Sequence, residues 1–146
     1  IAAVMNDSGS PWMHAYTYSS HPVGCAVALA MLDIIEQEDF VEQAAQKGKR
    51  LLVKLKEALS DHPHVGDVRG LGMMCAVEYV QNRETREPFD AKENIGAKIQ
   101  AEAVSRGMFS RVRGDVYCIA PPIVTEESTI DEIAEILAAS TQVVLG

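Results

Sequence analysis

The sequence predicts an α+β fold in which helices cover one face of a small, largely antiparallel sheet. First, segments with apolar residues at a spacing near 3.6 alternate with short runs rich in β-branched residues. Second, the resulting order is helix, helix, strand pair, helix, hairpin, helix, which is typical of an α+β layer. Third, 47% of the 146 residues are hydrophobic and 23% are charged, so the chain can bury a core.

The first part of the chain is predicted to contain a loop followed by an apolar helix. A polar, turn-rich opening over residues 6–11 leads into residues 16–20, which are rich in hydroxyls and aromatics. Pro22 suits the first turn of a helix, because its missing N–H would have no intrahelical partner there. Residues 23–35 are apolar nearly all round, which predicts a helix buried on most of its sides.

The remaining elements follow from periodicity and turn residues. Residues 40–59 predict an amphipathic helix and residues 65–80 predict two strands, with a bend at Arg69-Gly70-Leu71-Gly72. Residues 93–106 predict a second amphipathic helix ended by Gly107. Residues 108–112 and 116–120 predict a hairpin. Thr125 is expected to cap a last helix that starts at Glu126 and ends near Leu145. The apolar face of the 40–59 helix is predicted to hold Val41, Ala44, Ala45, Leu52, Leu55 and Leu59.

Charge and composition exclude several classes of function. Thirteen basic and twenty-one acidic residues give a net charge of −8, which argues against a nucleic-acid or anionic-membrane partner. All the lysines and arginines lie within residues 47–113, so any cationic binding group must come from there. The longest apolar stretch, residues 22–32, is too short to span a membrane, and no basic segment suggests a signal peptide.

The cysteines and methionines are interpreted as core residues. Cys25, Cys75 and Cys118 each lie in an apolar run, and they form no C-x-x-C pair. We therefore expect reduced thiols and a cytoplasmic location. Met31, Met73 and Met74 are also assigned to core packing.

The strongest local pattern runs from His14 to Ala26. A loop of hydroxyl side chains leads straight into a helix N-terminus, where backbone N–H groups and the helix dipole attract an anion such as phosphate. An elaborate N-cap is the simpler explanation of the same residues. Neither alternative is excluded by the pattern itself.

Other candidate groups carry weaker signals. His62-Pro63-His64 is interpreted as a turn that ends a helix, and no metal site is predicted because no third ligand stands near in sequence. Gly70 and Gly72 do not open a dinucleotide-binding motif, since a strand rather than a helix follows. The lysines are all expected to be solvated helix residues; they are Lys47, Lys49, Lys54, Lys56, Lys92 and Lys98.

Three segments together resemble one family. The run HAYTYSSHPVGCAVALAMLDIIE resembles the H-G-x-T-Y-S-G-H-P-V-x-C-A-x-A-L segment of class III pyridoxal-phosphate aminotransferases. VGDVRGLGMMCAVEYV resembles the family's R-G-x-G strand, and RGMFSRVRGDVYCIAPPIVTEESTIDEI resembles its closing strands, P-P turn and last helix. Order and spacing agree over essentially the whole chain. His21-Pro22 is similar to the ω-amino acid:pyruvate branch, since many other members have Asn-Pro there.

The resemblance implies that the chain is the C-terminal part of such an enzyme. Residues 1–38 would continue from an upstream cofactor-binding domain, and residues 39–146 would form the small domain of a fold-type I enzyme. The Schiff-base lysine and the carboxylate that holds the pyridinium nitrogen would both lie upstream, so the isolated chain is expected to be inactive. The substrates would be an ω-amino acid or amine and a keto acid such as pyruvate.

The resemblance also assigns roles to two residues. Thr17 corresponds to the threonine that holds the phosphate of pyridoxal phosphate bound in the neighbouring subunit, which implies a homodimer. Arg111 falls on the arginine that holds a substrate carboxylate, and Arg113, on the same face of the strand, is its local competitor. Ala15 and Ser20 depart from the family, which usually has glycine at both positions.

A different class of function remains as the alternative. The chain could be an independent, non-catalytic binding or interaction module. The intact mass of the protein in its native source distinguishes the two hypotheses.

Overall fold

A computed structural model describes residues 2–7, 9 and 15–146 of the chain. The chain divides into two compact units, Ile1–Glu38 and Asp39–Gly146, which we call the first and second unit. The first unit contains α1 (Ala2–Asp7) and α2 (Pro22–Gln37). The turn-rich opening predicted for residues 6–11 is wrong at Asn6 and Asp7, which belong to α1. Residues 8, 10 and 11 lie outside the described part, and Gly9 forms a bend.

Helix α2 begins at Pro22, as predicted, but none of its side chains is buried by the described residues. Leu29, for example, is 64% exposed, and Cys25 and Met31 are exposed too. The expectation that these two residues occupy a core is therefore wrong within this chain. The helix is apolar on most sides, and the described residues leave that surface uncovered.

The second unit contains four further helical segments and four strands. The helices are α3 (Phe40–Leu59), a 3-10 turn (Ala91–Glu93), α4 (Ile95–Ser105) and α5 (Glu127–Leu145). The strands are β1 (Val65–Leu71), β2 (Met74–Tyr79), β3 (Arg111–Arg113) and β4 (Val116–Ile119). They form one antiparallel sheet in the order β1-β2-β4-β3. The predicted α+β class and antiparallel sheet are confirmed.

One face of the sheet carries the core. Helices α3 and α4 contact the strands, and α5 packs against both helices. The side chains of Val77 and Tyr117, which are register partners, are fully buried on this face. The Tyr79 hydroxyl reaches α5, where it lies 2.8 Å from the hydroxyl of Thr141. Burial raises the pKa of Tyr79, so this phenol stays neutral. The helices contribute Leu51, Leu55, Leu59, Ile99, Ala103, Ile130, Ala134 and Leu137 to the same core.

For α3 and β2, the side chains predicted to be buried differ in part from those that the structure buries. The buried stripe of α3 is Gly48, Leu51, Leu55 and Leu59, whereas Val41 is 78% exposed and lines an apolar hollow beside the β1–β2 turn. Met74 is 72% exposed, because alternation along β2 turns Cys75, Val77 and Tyr79 toward the helices. Met73 is buried, as expected for a core residue.

The bend predicted at Arg69-Gly70-Leu71-Gly72 is confined to the turn after Leu71, because Arg69, Gly70 and Leu71 belong to β1, and Gly70 and Gly72 are required for two different physical reasons. A Cβ on Gly70 would meet the Cys75 sulfur at 2.5 Å. Gly72 has a φ of +53°, which L side chains rarely adopt. A Cβ on Gly48 would overlap the backbone of Gly72, so α3 and the turn after β1 approach each other backbone to backbone.

Three element boundaries differ from the prediction. Asn94, with a φ of +51°, separates the 3-10 turn from α4, so the helix predicted over 93–106 begins later. Strand β3 is shorter than predicted, because the Met108 amide bonds back to Ala103 of α4. Thr125 does not cap α5; its amide bonds to Pro122 in a turn, and Glu126 occupies the N-cap without a side-chain hydrogen bond. Among the described residues, no helix has the length and apolarity needed to cross a membrane.

Candidate functional site

The loop before α2 forms a turn over residues 17–20, and all of its side chains are exposed. The Ser19 hydroxyl accepts a hydrogen bond from the Tyr16 amide at 2.9 Å, so this hydroxyl stabilises the loop itself. The Thr17 hydroxyl makes no hydrogen bond to any residue in the described part of the chain. The Thr17 hydroxyl is therefore available to a ligand, as are the exposed hydroxyls of Tyr18 and Ser20 in the same turn.

The N-terminus of α2 is capped by a ring rather than by a hydroxyl. The Nδ1 atom of His21 accepts from the Gly24 amide at 3.5 Å, and Pro22 fills the first helical position. Ser20 has a φ of +62°, in the left-handed region that favours glycine. The family that the sequence resembles usually has glycine at this position, and the positive φ explains why.

In the second unit, Arg111 and Arg113 lie on β3, at the edge of the sheet. Both side chains are exposed and, two residues apart on one strand, point to the face of the sheet opposite the helices. Neither forms an ion pair with a described carboxylate, whereas Arg69 on the same face does. The two arginines are therefore open to an anionic ligand.

The neighbours across the sheet distinguish the two arginines. Register partners place Cys118, Ala76 and Arg69 in line with Arg111 from strand to strand. The two residues beside Arg111 on this line are small and uncharged. With strands about 4.8 Å apart, roughly 14 Å separates the Arg111 and Arg69 backbones.

Acidic residues lie among the register partners of Arg113 across the sheet. Its register partners across the sheet are Val116, then Glu78, then Asp67. Arg69 already binds both carboxylates, at 2.9 Å for Asp67 and 2.5 Å for Glu78, and these hydrogen bonds raise the pKa of Arg69. Glu78 is two strands, or about 10 Å, from Arg113 at the backbone. These carboxylates lie on the line of Arg113 rather than on that of Arg111, but Arg69 already neutralises them.

Helix α4 holds the start of β3. The Gln100 side-chain amide donates to the Ser110 carbonyl at 2.5 Å, directly before Arg111. The Ser110 hydroxyl donates to the carbonyl of Cys118, the residue opposite Arg111 in the ladder. No local sequence pattern signalled Gln100, because this contact joins a helix to a strand ten residues away.

Helix α4 also holds the other end of the β3–β4 hairpin. The Asp115 carboxylate accepts from the Gly96 amide at 2.9 Å. This bond caps the helix from a different element, since Asn94 at the N-cap makes no side-chain capping bond. Together with the bond from Met108 to Ala103, it ties the hairpin to α4 at both ends.

No lysine in the described part has the surroundings of a buried amine. The Lys47 ammonium donates to the Ile123 carbonyl at 2.8 Å, a contact that joins α3 to the segment before α5. Lys54 pairs with Glu57 at 3.8 Å, and Lys49, Lys56, Lys92 and Lys98 are exposed.

His62 and His64 form a turn after α3. The His62 ring accepts from the His64 amide at 3.2 Å, and the Nδ1 atom of His64 lies 3.2 Å from the Val80 carbonyl. Burial, and then the charge of His64, lower the pKa of His62. Among the residues that the structure describes, no group of three or more His, Cys, Asp or Glu side chains could hold a metal ion.

Comparisons with known proteins point to a single family. The family Aminotransferase class-III matches residues 1–140. The chain is 39% identical to a putrescine–pyruvate aminotransferase from Pseudomonas aeruginosa over 91% of its length, and 41% identical to a diaminobutyrate–2-oxoglutarate transaminase from Halomonas elongata over 84%. It spans 29% and 27% of those proteins.

Solved structures agree with the sequence comparisons. The structure of an (S)-enantioselective ω-transaminase from Thermomicrobium roseum matches 99% of the chain with a TM-score of 0.86 and 39% identity. An adenosylmethionine-8-amino-7-oxononanoate aminotransferase from Methanocaldococcus jannaschii matches 97%, with a TM-score of 0.83 and 28% identity. The chain covers 32% of each of these structures.

Proposed function

Because the chain belongs to the class III aminotransferase family, we propose that it is the C-terminal part of a longer, pyridoxal-phosphate-dependent aminotransferase. The observation that carries the proposal is the family match over residues 1–140, combined with coverage of about 30% of the relatives' length. Residues 1–38 continue from an upstream cofactor-binding domain, and residues 39–146 form the small C-terminal domain. That upstream domain also covers the exposed apolar surface of α2.

Thr17 is the residue of this chain that contacts the cofactor. Pyridoxal phosphate, when bound, supplies an electron sink for amino transfer. The Thr17 hydroxyl is exposed and makes no hydrogen bond to a described residue, so it fits a donor to a phosphate oxygen. By resemblance to the family, this phosphate would belong to the cofactor of the neighbouring subunit, so the proposed enzyme is a homodimer.

Arg111 binds the carboxylate of the keto acid. Its guanidinium can donate two parallel hydrogen bonds to a carboxylate, and small uncharged residues lie beside it on the sheet. Arg113 shares the face, but the family resemblance aligns Arg111, not Arg113, with the carboxylate-binding arginine, so Arg113 plays the smaller part. The substrates are an ω-amino acid or amine and a keto acid such as pyruvate, in a cytoplasmic enzyme whose three cysteines are free.

The test compares the longer protein with the isolated 146-residue chain. Each is incubated with pyridoxal phosphate, reduced with borohydride and mapped by mass spectrometry. We expect stoichiometric labelling of the longer protein at one lysine outside residues 1–146, and no specific labelling of the isolated chain. Stoichiometric labelling at one lysine within residues 1–146 would refute the proposal.

A second experiment isolates Thr17. Thr17→Val in the longer protein removes the hydroxyl at nearly constant shape, and we expect about tenfold weaker retention of the cofactor during dialysis. Thr129→Val, at an exposed position on α5, is the matched control and should retain the cofactor. Equal retention in the two variants would remove Thr17 from the phosphate site.

A further inference from the structure

Arg111 sits on the part of the sheet with the least backbone support. Strand β3 has three residues and lies at the sheet edge, so it pairs with β4 alone. The residue two positions before Arg111, Phe109, is 86% exposed. The position of Arg111 must therefore depend on contacts other than the β3–β4 backbone hydrogen bonds.

Next to Arg111, one such contact comes from α4 through the side chain of Gln100, and a second comes from Ser110 within the hairpin. The Gln100 amide donates to the Ser110 carbonyl, and the Ser110 hydroxyl donates to the Cys118 carbonyl, opposite Arg111. Gln100 and Ser110 are both half-buried. Helix α4 is itself fixed, because the neighbouring Ile99 is fully buried in the core.

We propose that Gln100 is a positioning residue for the keto acid, acting through Arg111. This inference rests on the proposed function of Arg111. By holding the Ser110 carbonyl, Gln100 sets where β3 begins and hence where the Arg111 guanidinium can reach. Displacements of about 1 Å in a substrate-holding group can reduce rates strongly, even when the altered residue never contacts the substrate.

The position of Gln100 explains why another contact does not replace it. The ties at Gly96–Asp115 and Ala103–Met108 hold the hairpin at its turn and at the end of α4. Neither lies next to Arg111 in sequence. Loss of the Gln100 amide therefore releases the Ser110 carbonyl, while both of these ties and the bond from the Ser110 hydroxyl to the Cys118 carbonyl remain, and the fold is retained.

The test uses Gln100→Met in the full-length enzyme, since methionine keeps the length of the side chain without the N–H donor. We expect kcat/KM for the keto acid to fall about three- to tenfold through a higher KM, with kcat/KM for an amine donor that lacks a carboxylate unchanged. Gln46→Ala is the matched control, because the Gln46 amide bonds only to Glu42 of its own helix, and both values should stay unchanged.

A double-variant cycle tests whether Gln100 acts through Arg111. In an Arg111→Ala background, Gln100→Met should cause no further loss with the keto acid. The same loss in both backgrounds, equal losses with keto acid and amine, or no loss at all would overturn the inference. If Gln100→Met does not fold, Gln100→Glu, which also lacks the N–H donor, takes its place. Failure of the proposed function itself appears separately, as an Arg111→Ala variant that shows no selectivity for the carboxylate-bearing substrate.

Discussion

Replacing Arg111 with alanine in the full-length enzyme should weaken keto-acid substrates and spare amine donors that have no carboxylate. The substitution removes charge-assisted hydrogen bonds to the substrate carboxylate, which are worth about 1.5 to 3 kcal/mol. This corresponds to a loss in kcat/KM of about ten- to a hundredfold. The fold should persist, since the exposed Arg111 side chain forms no ion pair with a described carboxylate.

Arg113→Ala is the matched comparison, and the structure sets its magnitude. Two residues along a strand are about 7 Å apart, so the Arg113 charge lies roughly that far from a carboxylate held by Arg111. In water, a pair of unit charges at about 7 Å interacts by roughly 0.6 kcal/mol before salt screening. We therefore expect at most about a threefold loss.

The assay is steady-state kinetics of both variants with one carboxylate-bearing and one carboxylate-free substrate. Arg111→Lys should give an intermediate loss, because the charge remains while the two-pronged hydrogen bonding is lost. Equal losses of Arg111→Ala on the two substrates, or a larger loss for Arg113→Ala, would refute the reasoning.

Three further predictions concern stability. Gly48→Ala should destabilise the chain by about 3 kcal/mol in urea unfolding, because the new Cβ meets the Gly72 backbone. Gly72→Ala introduces only φ strain and should cost about 1 kcal/mol. A larger loss of stability in Gly72→Ala than in Gly48→Ala would contradict the backbone contact. Ser20→Gly should stabilise the full-length enzyme by about 1 kcal/mol in thermal unfolding, because it relieves the strain of the left-handed backbone conformation. Ser19→Gly should destabilise the enzyme, because it removes the hydroxyl that accepts a hydrogen bond from the Tyr16 amide. A destabilised Ser20→Gly enzyme would show that no strain is relieved. The lowered pKa of His62 favours the neutral ring in the folded state, so the free energy of unfolding should fall as the pH drops below 6.5, the ordinary pKa of histidine. This fall should be smaller in His62→Gln. Identical pH profiles of the two proteins in urea unfolding would count against this prediction.

Much of the fold follows from local sequence patterns. Helix α3 begins at Phe40 and ends at Leu59, as its periodicity predicts, and Gly107, with a φ of +93°, follows the end of α4. The two predicted strands are present, but the turn between them is shorter than predicted, because Arg69, Gly70 and Leu71 pair with β2 and only Gly72 of the R-G-x-G segment lies in the turn. These features depend on residues that are close together in the chain, so local sequence patterns can predict them.

Other features depend on partners distant in sequence. The exposed side of Met74 is set by the register of β2 against its neighbours, and the composition of the segment does not reveal it. The contact of Gln100 with Ser110 requires a helix and a strand to be packed first. The N-cap of α2 is the ring of His21, although the loop offers several hydroxyls that cap helices more often.

The central claim is that this chain is part of a longer class III aminotransferase. The most direct measurement is the intact mass of the native polypeptide that contains these residues, isolated from its source and identified by its peptides. The relatives are about three times as long as the segment that they share with this chain. We therefore expect a polypeptide with about three times the 15.9 kDa of the chain. A native polypeptide of 15.9 kDa would contradict the claim and favour an independent binding module.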